Sequence, residues 1–254
     1  MKQEANYGNW VPRNFLYLFV LVFLCLLIPT LFPIFPIAKI ILWVIAGVWL
    51  FPSVFMFYLY YYFSTNNNAL QHSIWDLVIQ KLPWTGKGKA LDVGTGAGSL
   101  AIELAKRYPN SKIYGIDYWG KTWNYSKQQC EENAKLEGVA DQLSFQKASA
   151  SNLPFQDGEF DAIVSNFVYH EVRDTRNKID LIFESLRVLK KGGCFSLQDT
   201  FKNKRRYGKF EELLEQIKDR GIEQIESFDT LNEFSVPKVV KSELKTICLL
   251  YGVK

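Results

Sequence analysis

Residues 90–106 read ALDVGTGAGSLAIELAK, and this stretch decides the fold. The short apolar run Ala90, Leu91 and Val93 predicts a buried strand. It breaks into a turn holding Gly94, Thr95, Gly96 and Gly98, and an amphipathic helix is predicted to begin near Ser99. An acid, Asp92, stands two residues before the first glycine. Strand, glycine turn and helix in that order bring backbone N–H groups against a nucleotide-like ligand. A glycine allows the backbone to turn or come close where a Cβ would collide.

Two ligands suit such a turn. The dinucleotide fingerprint G-x-G-x-x-G/A requires Gly or Ala at position 99, and this chain has Ser99. What it carries is D-x-G-x-G-x-G, from Asp92 to Gly98, which resembles motif I of the class I S-adenosylmethionine (SAM) methyltransferases. The neighbouring residues extend the resemblance. Lys112 to Asp117 (KIYGID) predicts a second strand ending in an acid. An acid there bonds ribose hydroxyls in NAD folds as in SAM folds, so Asp117 alone does not discriminate. Further on, Leu153 to Asp161 (LPFQDGEFD) followed by the strand AIVSNFVYH resembles the small-molecule methyltransferases of the ubiquinone/menaquinone-biosynthesis type. Leu186 to Gly193 (LRVLKKGG) resembles the helix and turn before the fifth strand of that family, here Cys194 to Leu197.

The resemblance covers roughly residues 70 to 200. It implies an α/β, Rossmann-like, seven-stranded, mostly parallel sheet with helices on both faces, closed by an antiparallel hairpin. It implies SAM as cofactor. Asp92 would organise the motif I turn and the amino-acid end of SAM, Gly94 and Gly96 would admit the backbone, and Asp117 would hold the ribose. Tyr118 and Trp119 are placed to pack on the adenine face, with a core role open for Trp119. One position departs from the family. Where an acid usually accepts a hydrogen bond from the adenine amino group, this chain has Ser149, followed by Ala150. A hydroxyl accepts that bond without charge assistance.

Ser165 and Asn166, candidates for cofactor binding, leave the fourth strand at the sheet's carboxyl edge, where ligands bind in open α/β sheets. Tyr169, His170 and Glu171 follow as catalytic candidates. His170 is placed either to take a proton from an O–H or N–H nucleophile near neutral pH or to fix the loop by hydrogen bonding.

The rest of the 254 residues frames this domain. Phe15 to Phe35 and Ile40 to Phe63 carry no charge, and each is long enough to cross a hydrocarbon core of ~30 Å at ~1.5 Å per residue. Pro33, Pro36 and Lys39 mark the break between them. A transmembrane helical hairpin over residues 1–63 is expected, with a re-entrant hairpin as the alternative. A cleaved signal peptide fits poorly, since the first apolar run is too long and has no small-residue cleavage site. Tyr7, Trp10, Tyr58, Tyr60, Tyr61 and Tyr62 suit a shared headgroup level. Lys2 and Arg13 on one flank against Lys39 alone in the connector favour both termini, and the catalytic domain with them, in the cytosol. Residues 64–69 read as a polar linker and 70–254 as the methyltransferase domain. That domain should begin with a helix from Leu70 to Leu82, whose apolar face is Leu70, Ile74, Leu77 and Val78, and whose His72 serves solvation or packing. Beyond Thr200, a helix over Tyr207–Arg220 and strands over Ile222–Phe228 and Leu244–Tyr251 are predicted.

The net charge of +4 is modest and dispersed, which argues against nucleic acid as partner. The basic run Lys202, Lys204, Arg205, Arg206 and Lys209 fits a solvated loop, or contact with anionic headgroups. Four cysteines without metal-ligand spacing point to no metal site and, in a cytosolic domain, to no disulfide. The leading expectation is a membrane-anchored SAM methyltransferase acting on a small or lipid-like acceptor. An NAD(P)-dependent oxidoreductase and a non-catalytic SAM-binding scaffold are the alternatives, and nothing in the sequence sets an oligomeric state.

Overall fold

The computed structural model describes residues 4–64, 70–120, 123, 125–234, 236–238, 241 and 244–254. The predicted linker falls outside the described residues from position 65 to 69. The chain divides into two compact units, one of Gly8–Gln71 and one joining the residues up to Tyr7 to His72–Lys254.

The larger unit is built on a seven-stranded sheet of order β3-β2-β1-β4-β5-β7-β6. Its strands are β1 (Lys89–Val93), β2 (Lys112–Asp117), β3 (Leu143–Lys147), β4 (Phe160–Asn166), β5 (Leu189–Asp199), β6 (Gln224–Phe228) and β7 (Cys248–Val253). The first five pair in parallel, and β7 enters antiparallel between β5 and β6. Central parallel strands are covered on both faces, so they read as nearly continuous apolar runs. Leu91, Val93, Ile163, Val164 and Leu197 are all fully buried, each contributing roughly 1.5–3 kcal/mol. On one side Leu91, Val93, Ile163 and Leu197 join a cluster with Leu181, Ile182 and Leu186, and with Leu213 and Ile217. These come from α6 (Ile179–Val188) and α8 (Phe210–Lys218).

The smaller unit holds α1 (Arg13–Leu27), continued as a 3-10 turn to Leu31, and α2 (Pro36–Tyr62). By length and composition Arg13–Leu31 and Pro36–Tyr62 are apolar enough to cross a membrane, with a mean hydropathy of 2.4 and 2.3 and only 11% of each window buried. Leu16, Ala46 and Ser53 are buried, while Leu31, Phe35, Val48 and Phe51 are widely exposed. A soluble core helix would show the reverse. The pair is tied by the Trp49 indole, which donates to Phe19 O at 3.1 Å and stacks on the Phe19 ring. Lys39, expected in the connector, lies in the first turn of α2, because Pro36 starts the helix at a position where no N–H is needed.

Several predicted boundaries shift. The first helix of the α/β unit, α3 (Leu70–Gln80), stops slightly early, and the apolar face expected of it is buried along with Trp75. His72 packs edge-on against the Trp75 ring, 4.8 Å away. The fourth strand ends at Asn166 rather than His170, since Phe167 turns to φ 59°. The helix predicted over Tyr207–Arg220 is two, α7 (Lys204–Tyr207) and α8, because Gly208 at φ 74° separates them. Tyr7 is not a headgroup residue. It is buried in the α/β unit, where its hydroxyl donates to Glu137 Oε1 at 2.9 Å and its ring meets Trp75.

Candidate active site

The glycine turn is tied to the next strand before any ligand is considered. The N–H groups of Gly94 and Thr95 both donate to Ile116 O at 2.8 Å, and Gly98 N donates to Thr95 O. Gly94, Gly96 and Gly98 adopt φ of 76°, 58° and 87°, a region L side chains rarely enter. Gly98 then leads into α4 (Ser99–Arg107). A Cβ on Gly94 would stand 2.1 Å from Val168 Cγ2, so this glycine admits Val168 rather than a ligand. Asp92 is 1% exposed and accepts from Thr95 Oγ1 at 2.7 Å. Burial, opposed by the Thr95 hydroxyl, pushes its carboxyl up to about 7. Asp92 and Thr95 therefore shape the turn from beneath.

Asp117 closes the turn from the side. Its Oδ2 accepts from Gly96 N at 2.9 Å and its Oδ1 from Trp119 N at 2.7 Å. Burial raises this carboxyl above the ordinary value, against the pull of those N–H groups. The two aromatics that follow part ways. Trp119, at φ 46°, folds back so that its indole N–H donates to Gly96 O at 2.9 Å. Tyr118 stays 66% exposed, with Lys147 Nζ 5.2 Å from its ring centre. Of the pair, Tyr118 is the free face at the edge and Trp119 is a strut of the turn.

Beyond β3, Ser149 Oγ donates to Asp174 Oδ2 at 2.5 Å, and Ser151 Oγ donates to the same oxygen at 2.7 Å. Ala150 is buried in the core cluster. The LPFQDGEFD motif serves the scaffold. The Arg187 guanidinium donates to Leu153 O, Phe155 O and Asp157, and the Glu184 carboxylate accepts from Leu153 N. Asp161 accepts from Lys89 N and Lys190 Nζ. Sequence reasoning passed over Arg187, although an Arg on α6 facing a run of turn carbonyls is a recognisable support.

After β4 the candidates separate again. Ser165 is fully buried and donates to Val93 O at 2.9 Å, stitching β4 to β1 rather than facing a cofactor. Asn166 has a buried Oδ1 with no hydrogen-bond partner. Tyr169 is fully buried with its hydroxyl donating to Ser185 Oγ, so it is a core residue and not a catalytic one. His170 and Glu171 do come together. His170 Nδ1 lies 2.8 Å from Asp199 Oδ1 and Nε2 lies 3.3 Å from Glu171 Oε1. Asp199, at the end of β5, is fully buried and was not anticipated. Burial alone would lower the imidazole, but Asp199 and Glu171 lift it from 6.5 to about 9. Burial would raise Asp199 as well, but His170 holds it below the usual carboxylate range. Of the two roles the sequence left open to His170, this geometry, with Nδ1 on Asp199 and Nε2 facing Glu171, favours the loop-fixing one.

A second unforeseen residue is Asn133, on α5 (Lys127–Leu136). Its amide donates to Ala97 O in the glycine turn at 2.9 Å and pairs both ways with the backbone of Asn6. Asn6, part of the same unit, is thereby pinned beside the turn.

These residues suit SAM. Tyr118 presents an apolar face, Asp117 a carboxylate beside the glycines, and Asn166 an unpaired buried acceptor at the end of β4, fitted to a cationic amine. Among the described residues no cluster of His, Cys, Asp or Glu fit for a metal occurs. The arrangement defines a class I α/β domain for a nucleoside-bearing ligand.

Residues 91–197 match the family model described as "Methyltransferase domain". This segment is a class I, SAM-dependent methyltransferase domain. The chain is 34% identical over 116 residues to the ubiquinone/menaquinone biosynthesis C-methyltransferase UbiE of Geotalea daltonii, covering 45% of this chain and 46% of that protein. It is 30% identical over 133 residues to the 2-phytyl-1,4-naphtoquinone methyltransferase of Trichormus variabilis, covering 51% and 54%. The chain spans about half the length of the curated relatives it matches. Among solved structures, geranyl diphosphate C-methyltransferase from Streptomyces coelicolor aligns over 72% of this chain and 79% of its own, with a TM-score of 0.53 and 15% identity. That likeness is one of fold.

Proposed function

We propose that this protein is a membrane-anchored methyltransferase that transfers the methyl group of SAM to a small, lipophilic acceptor. The observation that carries the reading is Asp117, whose carboxylate ends β2 against the Gly96 N–H beside a turn of three positive-φ glycines. When bound, SAM supplies an activated methyl on a sulfonium. The protein's own part is to orient and to exclude water, and proximity contributes much of such a rate. Asp117 would hold the ribose, Asn166 Oδ1 would accept from the amino-acid end, and Tyr118 would cover the base. His170, fixed between Asp199 and Glu171, would present a cation at the acceptor side of the same edge.

The lipophilic acceptor is supported by the two exposed apolar helices and by relatives named for quinones. A spanning hairpin narrowed to 13–62, since Tyr7 belongs with the α/β unit, and a methyltransferase domain over 70–254 complete the proposal, with both termini cytosolic. Calorimetry on the full chain in detergent tests the cofactor, with NAD as control. We expect micromolar SAM binding that Asp117→Ala abolishes, and transfer of a labelled methyl into a lipid extract. NAD binding without SAM binding would refute the reading.

A further inference from the structure

Ser149 replaces a carboxylate in the sequence, yet the fold brings a carboxylate back. The carboxylate is that of Asp174, from the segment between β4 and α6. Its Oδ2 accepts from Ser149 Oγ at 2.5 Å and from Ser151 Oγ at 2.7 Å, and the two hydroxyl oxygens are 2.9 Å apart. Burial alone would raise Asp174, but the two hydroxyls outweigh it and hold the group below the ordinary carboxylate range. Asp174 is exposed and Ser149, the residue that would meet the ligand, is half-buried.

The position along the sheet says what this cluster would face. A nucleoside ligand begins at the turn after β1 and sets its ribose on the acid ending β2. Strand order then places its base over the next strand, β3. Ser149 lies two residues past the end of β3. A serine hydroxyl has one hydrogen and two lone pairs, so it reads donors and acceptors alike until the hydrogen is committed. Here the hydrogen is committed to Asp174. One lone pair accepts from Ser151 N at 3.3 Å, so what Ser149 then offers a ligand is its remaining lone pair, made more basic by the carboxylate behind it.

We propose that Asp174, acting through Ser149, makes the site selective for a 6-aminopurine over a 6-oxopurine nucleoside. This rests on the SAM reading above and adds a specificity residue to it. The amino group donates to Ser149. An oxo group at the same place presents lone pairs to a lone pair.

The test compares S-adenosylhomocysteine with S-inosylhomocysteine by calorimetry on the full chain in detergent. The wild type should prefer the adenosyl ligand by about tenfold or more. Asp174→Ala frees the Ser149 hydroxyl to rotate and donate, so the preference should fall toward unity because the inosyl ligand binds more tightly, while retained binding of the adenosyl ligand reports an intact fold. Adding Ser149→Asp to Asp174→Ala should restore the preference by placing the charge at 149 directly. If Asp174→Ala weakens both ligands equally, Asp174 only shapes the loop and the proposal is wrong. Wild-type binding without discrimination overturns the proposal and leaves the SAM reading standing. Failure to bind either ligand overturns both.

Discussion

Asp199→Asn keeps a hydrogen-bond acceptor beside His170 Nδ1 and removes only the charge. In the wild type that charge, with Glu171 on the other nitrogen, moves His170 from 6.5 to about 9 despite burial. At about 1.4 kcal/mol per pH unit, the interval is worth roughly 3 kcal/mol in favour of the protonated folded state. His170 is only 16% exposed and Asp199 not at all, so solvent screens the pair little. The sign follows from linkage. A folded-state pKa raised above the unfolded one contributes stability fully below about 6.5, and the contribution disappears as pH rises through about 9. The chain has two histidines, so selective 15N labelling gives two imidazole signals, with His72 as internal reference. In the wild type the His170 nitrogens should remain those of an imidazolium through pH 8 and titrate near 9. In Asp199→Asn, where burial is opposed by Glu171 alone, the midpoint should fall to 7 or below. The stability lost between pH 6.5 and 9 should shrink with it. A wild-type His170 that titrates at 7 or lower would refute the reasoning and return this residue to the role of general base.

Two other changes probe the turn. Gly94→Ala forces a left-handed backbone on an L residue, at ~1–2 kcal/mol, and drives a Cβ into Val168. Thermal unfolding should drop by several degrees and SAM binding should be lost, and a variant that melts like the wild type would show that Val168 yields freely. Ser165→Ala leaves Val93 O without its buried partner and should cost ~1–3 kcal/mol, with SAM affinity unchanged. Unchanged stability with weakened SAM binding would instead make Ser165 a ligand contact.

The order of elements was legible because each carries its period and its punctuation. Strands β1 and β2 and the Cys194–Leu197 part of β5 are rich in apolar residues, though β5 begins earlier, at Leu189, and α4 begins where the glycines end. Boundaries failed where one residue's conformation decided the matter. Phe167 ends β4 and Gly208 splits a helix, and neither leaves a periodic trace. The site was half legible. Asp92, Gly96 and Asp117 meet as their spacing implied. Ser165 and Tyr169 stand beside site positions in sequence but face inward, since alternate residues of a strand, and the loop leaving it, point to opposite sides.

The sequence by itself determined the class of domain and the two apolar segments, because each of these is written in contiguous residues whose spacing the backbone enforces, while SAM as cofactor came from the resemblance. Only the tertiary structure decided the pairing of His170 with Asp199, the binding of Asn133 to both Asn6 and the glycine turn, and the return of a carboxylate to Ser149. Those contacts join residues 29, 127 and 25 positions apart. Their energies depend on burial and on distances of about 3 Å, quantities that exist only once parallel strands have brought their carboxyl ends to a common edge.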